Sequence, residues 1–280
     1  MADQAAALRS LVSARIHSQS NSHIHRWAIT SGKGGVGKSV VALNLALNLS
    51  YMRRKVLLVD ADENLGKLDV MLGVSPMYRI PDVLDGTVDI DDALVNPYSN
   101  LYLLASSSGS TNYPKLTSNE RSLFIDHVSR STKEITDIIF DTGAGIHEEV
   151  IKYATMAHDV IVVSNPEPVS ILDAYAVMKM TAMKNSIASL NLIMNGSNSP
   201  SECDEAAVKL QSAVKHFLAS DIHYLGFIPF DESVSMSVMK QVPLTKLYPT
   251  SSAALCIQAI ARRLHQEHEV STIQQSMVYA

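Results

Sequence analysis

The chain has 280 residues, 46% of them hydrophobic, and a formal net charge of −5 at pH 7. This length suits one large domain of the doubly wound kind, and the hydrophobic content is ample for its core. The acidic balance disfavours direct, non-specific DNA binding, because neutralising phosphates requires a basic surface. The apolar runs are no longer than a strand, and no basic region precedes an apolar segment at the N-terminus, so we expect a cytoplasmic protein without a transmembrane helix.

The first 25 residues are predicted to form a short helix followed by a linker. Over residues 1–16, apolar side chains recur at the spacing of one helix face. These are Ala5, Leu8, Leu11, Val12 and Ile16. Residues 17–25 are polar and low in complexity, which favours a flexible linker over a metal site built from His17, His23 and His25.

A phosphate-binding loop comes next, with the sequence Gly32-Lys33-Gly34-Gly35-Val36-Gly37-Lys38-Ser39. It lies between a short strand predicted at 26–30 and a helix predicted at 38–53, which is the order of elements that such a loop requires. Glycines let backbone N–H groups wrap around phosphates, and the helix N-terminus adds its positive end. We predict that Lys38 reaches the β- and γ-phosphates of a nucleoside triphosphate and that the Ser39 hydroxyl ligates Mg²⁺. The predicted nucleotide contacts are Gly32, Lys33, Gly34, Gly35, Val36, Gly37, Lys38, Ser39 and Val40.

A basic run, Arg53-Arg54-Lys55, closes the helix that follows the loop. We interpret it as a solvated helix end, because cations complement the negative C-terminal end of the helix dipole. A local basic patch that binds nucleic acid is the alternative.

Two later strands end in aspartates. One apolar run ends in Asp60-Ala61-Asp62, and another ends at Asp141 with a glycine-rich exit. Because ligands bind at the carboxyl ends of parallel strands, we expect these acids to face the nucleotide. A carboxylate there can hold a magnesium-bound water or orient the attacking water, although an isolated aspartate after a strand more often caps a helix.

From residue 26 onward, predicted strands and helices alternate along the chain. The strands are predicted at 26–30, 56–60, 101–104, 137–141, 159–164, 190–194 and 225–228. The helices are predicted at 38–53, 118–132, 147–157, 169–183 and 204–219. This alternation indicates an α/β fold, with a mainly parallel sheet sandwiched by helices in one domain.

The C-terminal segment contains two apolar stripes of different strength. The first is predicted to close the core and consists of Ala253, Cys256, Ile257, Ile260 and Leu264. The second, Val270, Ile273 and Met277, is weaker, and residues 264–280 contain no Lys or Arg. A membrane-surface helix carries basic side chains on its polar face, so a frayed or back-packed tail is favoured over a reversible membrane contact.

The loop and the acidic strand ends resemble those of the MinD/ParA group of P-loop ATPases, whose phosphate loop carries a second lysine. Lys33 is that signature lysine. The resemblance implies that ATP and Mg²⁺ bridge a homodimer, in which Lys33 reaches the partner's nucleotide. It also implies that Lys33, Lys38 and Asp62 are catalytic, with Asp62 orienting the attacking water. Asp60 and Asp141 look like the outer-shell magnesium acids of the first and second switch.

Within that group the chain resembles the flagellar-number regulator family FlhG/FleN. Residues 3–9, Asp-Gln-Ala-Ala-Ala-Leu-Arg, are similar to the family's N-terminal activator motif. The resemblance implies that this motif engages an FlhF-type GTPase and stimulates its GTP hydrolysis, with a FleQ-type transcription activator as a further partner. The motif residues expected to contact a partner are Asp3, Gln4, Ala5, Leu8 and Arg9. An ordinary amphipathic helix is the alternative interpretation.

The same resemblance implies two base-contacting elements. Asn195 matches the position whose side-chain amide contacts adenine, and residues 226–234 match a second base-flanking loop that includes Pro229 and Asp231. Asn195 can equally be a turn residue before Gly196. The implied division of the chain is an activator helix and linker at 1–25, an ATPase domain at 26–265 and a tail at 266–280.

The first switch departs from the pattern of related proteins. They usually continue it as Asp-Ala-Asp-Leu-Gly-Leu, whereas here Glu63 and Asn64 replace the first leucine and the glycine. Glu63 adds a negative charge beside Asp62, which puts the rate of hydrolysis in question. Gly143 stands where alanine is common, so we expect a slightly looser second switch.

Three functions are consistent with these residues. The first is an ATP-dependent dimeric switch that regulates flagellar number and biosynthesis. The second is a division- or partition-positioning ATPase that acts on membrane or DNA. The third is an adaptor whose nucleotide is structural and hardly hydrolysed.

Overall fold

The structure, a computed structural model, describes residues 24–63, 66–107, 116–129, 134–185 and 187–278, without the side chains of 269–278. The predicted N-terminal helix with its motif residues lies outside the described part, as does Asn64. No helix in the described ranges combines the length and the apolar content that a membrane crossing requires.

The described residues form an eight-stranded sheet with the order β3-β4-β2-β5-β1-β6-β7-β8. All neighbouring strands are parallel except β3 and β4. The strands are β1 His25–Ser31, β2 Val56–Ala61, β3 Val95–Tyr98, β4 Leu101–Leu104, β5 Asp137–Ala144, β6 Asp159–Ser164, β7 Ser189–Ser197 and β8 Ile222–Pro229. The mainly parallel α/β sheet predicted from the alternating pattern is confirmed.

Five described helices are longer than eight residues and lie where the pattern predicted them, and one more follows the last strand. They are α1 Lys38–Tyr51, α5 Ser118–Val128, α6 Glu148–Met156, α7 Pro168–Lys184, α8 Pro200–Leu218 and α11 Ser252–Val278. The shorter helices are α2 Leu68–Leu72, α3 Ile80–Leu84, α4 Ile90–Ala93, α9 Glu232–Met239 and α10 Leu244–Leu247. They were not predicted, because four to eight residues are too few to show a helical period.

The helices cover both faces of the sheet. α1 and α11 pack on one face, where the predicted stripe of α11 is buried at Ala253, Ile257, Ile260 and Leu264. The helices α5, α6, α7 and α8 cover the other face. β2 is buried along its whole length, as expected for a central parallel strand with helices on both sides.

One element of this region was not predicted from the sequence, and one interpretation holds only in part. β3 is an antiparallel edge strand that contains Pro97, and a proline is tolerated there because an edge strand does not need every N–H. The basic run is a solvated helix end only in part: α1 ends at Tyr51 and Arg53 is exposed, but the Arg54 side chain is 10% exposed and pairs with buried Asp137. The sequence around Arg54 could not show this pairing, because Asp137 lies 83 residues away in the sequence.

Candidate nucleotide-binding site

The phosphate loop lies at the carboxyl end of β1, in the centre of the sheet between β5 and β6. From β1 the chain enters α1 on one face, whereas β6 leads into α7 on the other face. A change of face between adjacent parallel strands opens a crevice, which is where ligands bind in such sheets. The topology therefore places the loop at the most favourable position for a ligand.

The backbone of the loop requires glycine at two positions. Gly35 and Gly37 have φ angles of +81° and +85°, a left-handed conformation that other residues rarely adopt. A Cβ on Gly37 would also lie 2.3 Å from Nδ2 of Asn195. A Cβ on Gly34 or Gly35 would meet nothing within 4 Å, so the loop borders open space that a phosphate chain can enter.

Asn195 holds the loop from the neighbouring strand β7. Its Nδ2 donates a hydrogen bond of 2.7 Å to the carbonyl oxygen of Val36. This bond explains why the side chain approaches Gly37 so closely. The predicted adenine contact of Asn195 stays a prediction, and the structure adds a second role, in which the amide fixes the loop.

The two lysines of the loop lie in different surroundings. Lys38 is buried, and its Nζ donates a hydrogen bond of 2.6 Å to Oδ1 of Asp141. Lys33 is 45% exposed, and its Nζ donates to Oε2 of Glu167 at 2.9 Å, which lowers the pKa of Glu167. An exposed pair of this kind contributes little free energy, so the Lys33 side chain can leave Glu167 at small cost.

Two aspartates meet on adjacent strands beneath the loop. Asp60 and Asp141 are register partners on β2 and β5, and both are buried. Oδ2 of Asp60 accepts backbone hydrogen bonds from Lys67 at 2.8 Å and Leu68 at 3.0 Å. Within the described part of the chain, Oδ1 of Asp60 has no hydrogen-bond partner although it is buried. Burial and the neighbouring Asp141 raise the pKa of Asp60 to about 7.

These acids suit a divalent cation. A buried carboxylate oxygen without a partner beside a second carboxylate is stabilised by positive charge, and Mg²⁺ prefers oxygen ligands and bound waters. Ser39, at the start of α1, is the predicted direct ligand. Asp60 and Asp141 would hold the ion through its waters. The donor set therefore fits magnesium together with a phosphate.

Asp62 lies at the same edge of the sheet, over the exit of β5. A Cβ on Gly143 would lie 3.7 Å from Oδ1 of Asp62, so the segment that follows β2 lies against the end of β5 here. Only glycine fits at Gly66, where a Cβ would lie 1.5 Å from Oγ of Ser106 and 2.9 Å from Oδ2 of Asp60. The structure thus brings the loop, Asp60, Asp62 and Asp141 together, as their positions after the strands predicted.

The second base-flanking loop follows β8, which ends at Pro229. Oδ1 of Asp231 accepts from the backbone N–H of Ser233 at 2.9 Å, and Oδ2 accepts from Ser252 Oγ at 3.0 Å and Ala253 N at 3.1 Å. Burial by itself raises the pKa of Asp231, but the hydrogen bonds from Ala253, Ser233 and Ser252 outweigh burial and lower the pKa to about 2. The carboxylate thus caps both α9 and α11. Contacts of Pro229 and Asp231 with a base stay predictions.

Sequence reasoning missed the partner of Glu63. Arg121 on α5 donates to Oε1 of Glu63 through Nε at 2.6 Å and to Oε2 through Nη2 at 2.9 Å. Nothing in the local sequence relates these residues, because 58 positions separate them. By contrast, the Asp-Glu-Ser sequence at 231–233 is a visible N-cap pattern, and it could have revealed the capping role of Asp231.

Comparison with known proteins agrees with this geometry. The family described as "ParA: NUBPL iron-transfer P-loop NTPase" matches residues 23–265. Antiactivator FleN of Pseudomonas aeruginosa is 34% identical over 237 residues, which are 85% of this chain and 85% of FleN. Flagellum site-determining protein YlxH of Helicobacter pylori is 31% identical over 88% of this chain and 84% of YlxH.

A solved structure with the same fold carries a nucleotide. The septum site-determining protein MinD of Pyrococcus horikoshii, complexed with Mg-ADP, superimposes with a TM-score of 0.76. It is 26% identical to this chain, and the match covers 88% of this chain and 98% of the MinD chain.

Proposed function

This chain belongs to the MinD/ParA family of P-loop ATPases and, within it, to the FlhG/FleN group, and we propose that it is an ATP-dependent dimeric switch in flagellar regulation. It is an ATPase that uses ATP and Mg²⁺.

The observation that carries the dimer proposal is the difference between the two lysines. Lys38 is buried at the base of the loop and faces the acids of its own protomer. Lys33 points outward from the same loop, and among the described residues its Nζ forms only the exposed ion pair with Glu167. A cation that extends from a phosphate loop into solvent is well placed to reach a phosphate bound by a second protomer. ATP would then join two protomers at their loops.

Hydrolysis would end the dimeric state. Lys38 binds the β- and γ-phosphates, and Asp62 orients the attacking water at the contact between the two switches. Mg²⁺, when bound, neutralises charge that develops on the phosphate oxygens. Loss of the γ-phosphate removes the group that Lys33 of the second protomer reaches, so the dimer separates and the switch segments relax.

The proposed partners follow from the N-terminal motif and the group. Asp3, Gln4, Ala5, Leu8 and Arg9 would engage an FlhF-type GTPase, and a FleQ-type transcription activator would be a second partner. In this proposal residues 1–25 form the activator segment, of which His25 already belongs to β1, and 26–265 form the ATPase domain. Residues 266–280 form the tail, whose described part continues α11 to Val278. The protein would act in the cytoplasm or at the inner face of the membrane at a cell pole, without direct DNA binding. A reversible membrane contact of the tail is the alternative to a tail that packs back on the domain.

Lys33→Ala tests the dimer proposal. We expect the variant to bind ATP as a monomer and to lose ATP-dependent dimerisation, measured by light scattering in an Asp62→Ala background that slows hydrolysis. Lys215→Ala is a matched control, because Lys215 also forms an exposed ion pair, with Asp221 at 2.7 Å. Lys33→Ala dimers that persist with ATP would overturn the proposal.

A truncation tests the partner proposal. The shortened chain should begin at residue 24, because His25 starts β1 and its Nε2 lies 2.8 Å from Oδ2 of Asp159. We expect full-length protein to bind a purified FlhF-type GTPase and raise its GTP hydrolysis, and residues 24–280 to do neither. Equal stimulation by both chains would exclude the N-terminal motif as the activator.

A further inference from the structure

The first switch contains an ion pair that the catalytic acids do not explain. Glu63 directly follows Asp62, and both of its carboxylate oxygens accept hydrogen bonds from Arg121, at 2.6 and 2.9 Å. The Arg121 side chain is 4% exposed and the Glu63 side chain 19%. Two parallel charge-assisted bonds fix the orientation of a carboxylate as well as its charge.

Arg121 is held independently of Glu63. Its Nη2 also donates to the carbonyl oxygen of Leu116 at 2.9 Å, just before α5. Its guanidinium also interacts with the hydroxyl of Tyr153, a buried residue on α6, the helix that follows the second switch. The guanidinium therefore occupies a fixed position between two helices, and it sets where the Glu63 carboxylate lies.

The need for this arrangement comes from the charges at the site. Asp60, Asp62 and Asp141 already place three carboxyl groups at this edge, with Asp60 and Asp141 as register partners on β2 and β5. A fourth carboxylate, free to rotate, would repel the others and would offer Mg²⁺ an additional oxygen ligand. Since Glu63 is adjacent to Asp62, its orientation also constrains the backbone that carries Asp62.

We propose that Arg121 is a positioning residue, which keeps the Glu63 carboxylate turned toward α5 so that Asp62, and not Glu63, faces the attacking water, and Glu63 adds no oxygen ligand to the metal site. This inference rests on the proposed role of Asp62 in hydrolysis. It also answers the question that the sequence raised: the added charge of Glu63 is compatible with ATPase activity because Arg121 binds it.

The test is a cycle of Arg121→Gln, Glu63→Gln and the double variant in the full-length chain. We expect Arg121→Gln to lower kcat about 10-fold, with little change in KM, and to alter the Mg²⁺ concentration that gives half-maximal rate. The kcat of Glu63→Gln should stay within about 3-fold of that of the wild type, because this variant removes the negative charge that Arg121 holds in place. The double variant should recover to within about 3-fold of the wild type for the same reason.

A merely structural Arg121 gives a different result. The bond to Leu116 and the interaction with Tyr153 are lost in both Arg121 variants, so a structural defect would persist in the double variant and leave the Mg²⁺ dependence unchanged. That outcome, or a wild-type rate for Arg121→Gln, would overturn the proposal. If Arg121→Gln does not fold, Arg121→Lys takes its place, alone and combined with Glu63→Gln. Lysine keeps the positive charge but cannot form the two parallel hydrogen bonds of a guanidinium.

Asp62→Ala tests the hydrolytic role of Asp62 separately from the positioning role of Arg121. A wild-type rate for Asp62→Ala would refute the hydrolytic role of Asp62. The Arg121 and Glu63 cycle still reports whether the two side chains are coupled, because it compares variants that retain Asp62.

Discussion

The two edges of the sheet use the same types of charged residue for opposite purposes. At the amino-terminal edge, Arg54 donates to both oxygens of Asp137 at 2.5 and 2.7 Å, and Trp27 donates to Oδ1 of Asp137 at 3.0 Å. His25 lies 2.8 Å from Asp159 in the same layer. Each of these acids is satisfied by the fold itself.

At the carboxyl-terminal edge, polar groups remain available to a ligand. Asp60 is as well buried as Asp137, yet its Oδ1 has no hydrogen-bond partner in the described part of the chain. Lys33 extends into solvent, and the loop glycines border open space. A buried charge without a full set of partners costs free energy, and proteins retain such groups where a ligand supplies the missing bonds. The charges at the amino-terminal edge thus stabilise the fold, whereas those at the carboxyl-terminal edge are available to bind a ligand.

Arg54→Met should produce the largest loss of stability, because it leaves fully buried Asp137 without its cation. We expect the free energy of unfolding to fall by about 3–5 kcal/mol, measured by urea denaturation, while the affinity for ATP is unchanged. The matched control is Arg263→Met, which removes an exposed pair with Glu267. The control should cost less than about 1 kcal/mol. Equal losses in the two variants would mean that the amino-edge pair has no special role.

Lys38→Met should produce the largest loss of binding, because Lys38 is the buried cation at the loop. We expect affinity for a fluorescent ATP analogue to fall roughly 100-fold, which corresponds to about 2.7 kcal/mol. Lys209→Met, at an exposed position on α8, is the control and should bind normally. A Lys38→Met variant with full affinity would remove the main support for the contrast between the edges.

His268→Gln should produce a smaller, pH-dependent effect at the amino-terminal edge. Burial, Arg54 and His25 lower the pKa of His268 from 6.5 to about 4, against the opposite effect of Asp137 and Asp159. The unfolded chain binds a proton near pH 6.5 and the folded chain only near pH 4, so the stabilising contribution is complete above pH 6.5 and lost as the pH falls to about 4.

We therefore expect the wild type to lose about 1 kcal/mol more stability than His268→Gln between pH 7 and pH 4, measured by thermal unfolding at each pH. The effect is small because the His268 side chain is only partly buried and solvent screens its charge. His216→Gln, an exposed histidine on α8, is the control. Identical slopes for the wild type and His268→Gln would show that this histidine does not sense pH.

The sequence by itself determined the architecture and the kind of site. Alternating apolar runs of strand and helix length are local signals, and they predicted the mainly parallel sheet and every long helix before α11. The glycines of the phosphate loop and the aspartates toward the carboxyl ends of β2 and β5 are also local signals, because a loop at the end of a strand needs particular residues at fixed spacing. The short elements α2, α3, α4 and β3 had no such signal.

Only the tertiary structure decided which charges belong together. Arg54 and Asp137 are 83 residues apart, and Glu63 and Arg121 are 58 apart. Asp231 caps two helices, of which only α9 adjoins it in the sequence. Periodicity and spacing describe neighbours along the chain, whereas these bonds depend on how strands and helices pack. For that reason the sequence identified the phosphate loop, whereas only the fold showed that Arg121 binds Glu63 beside Asp62.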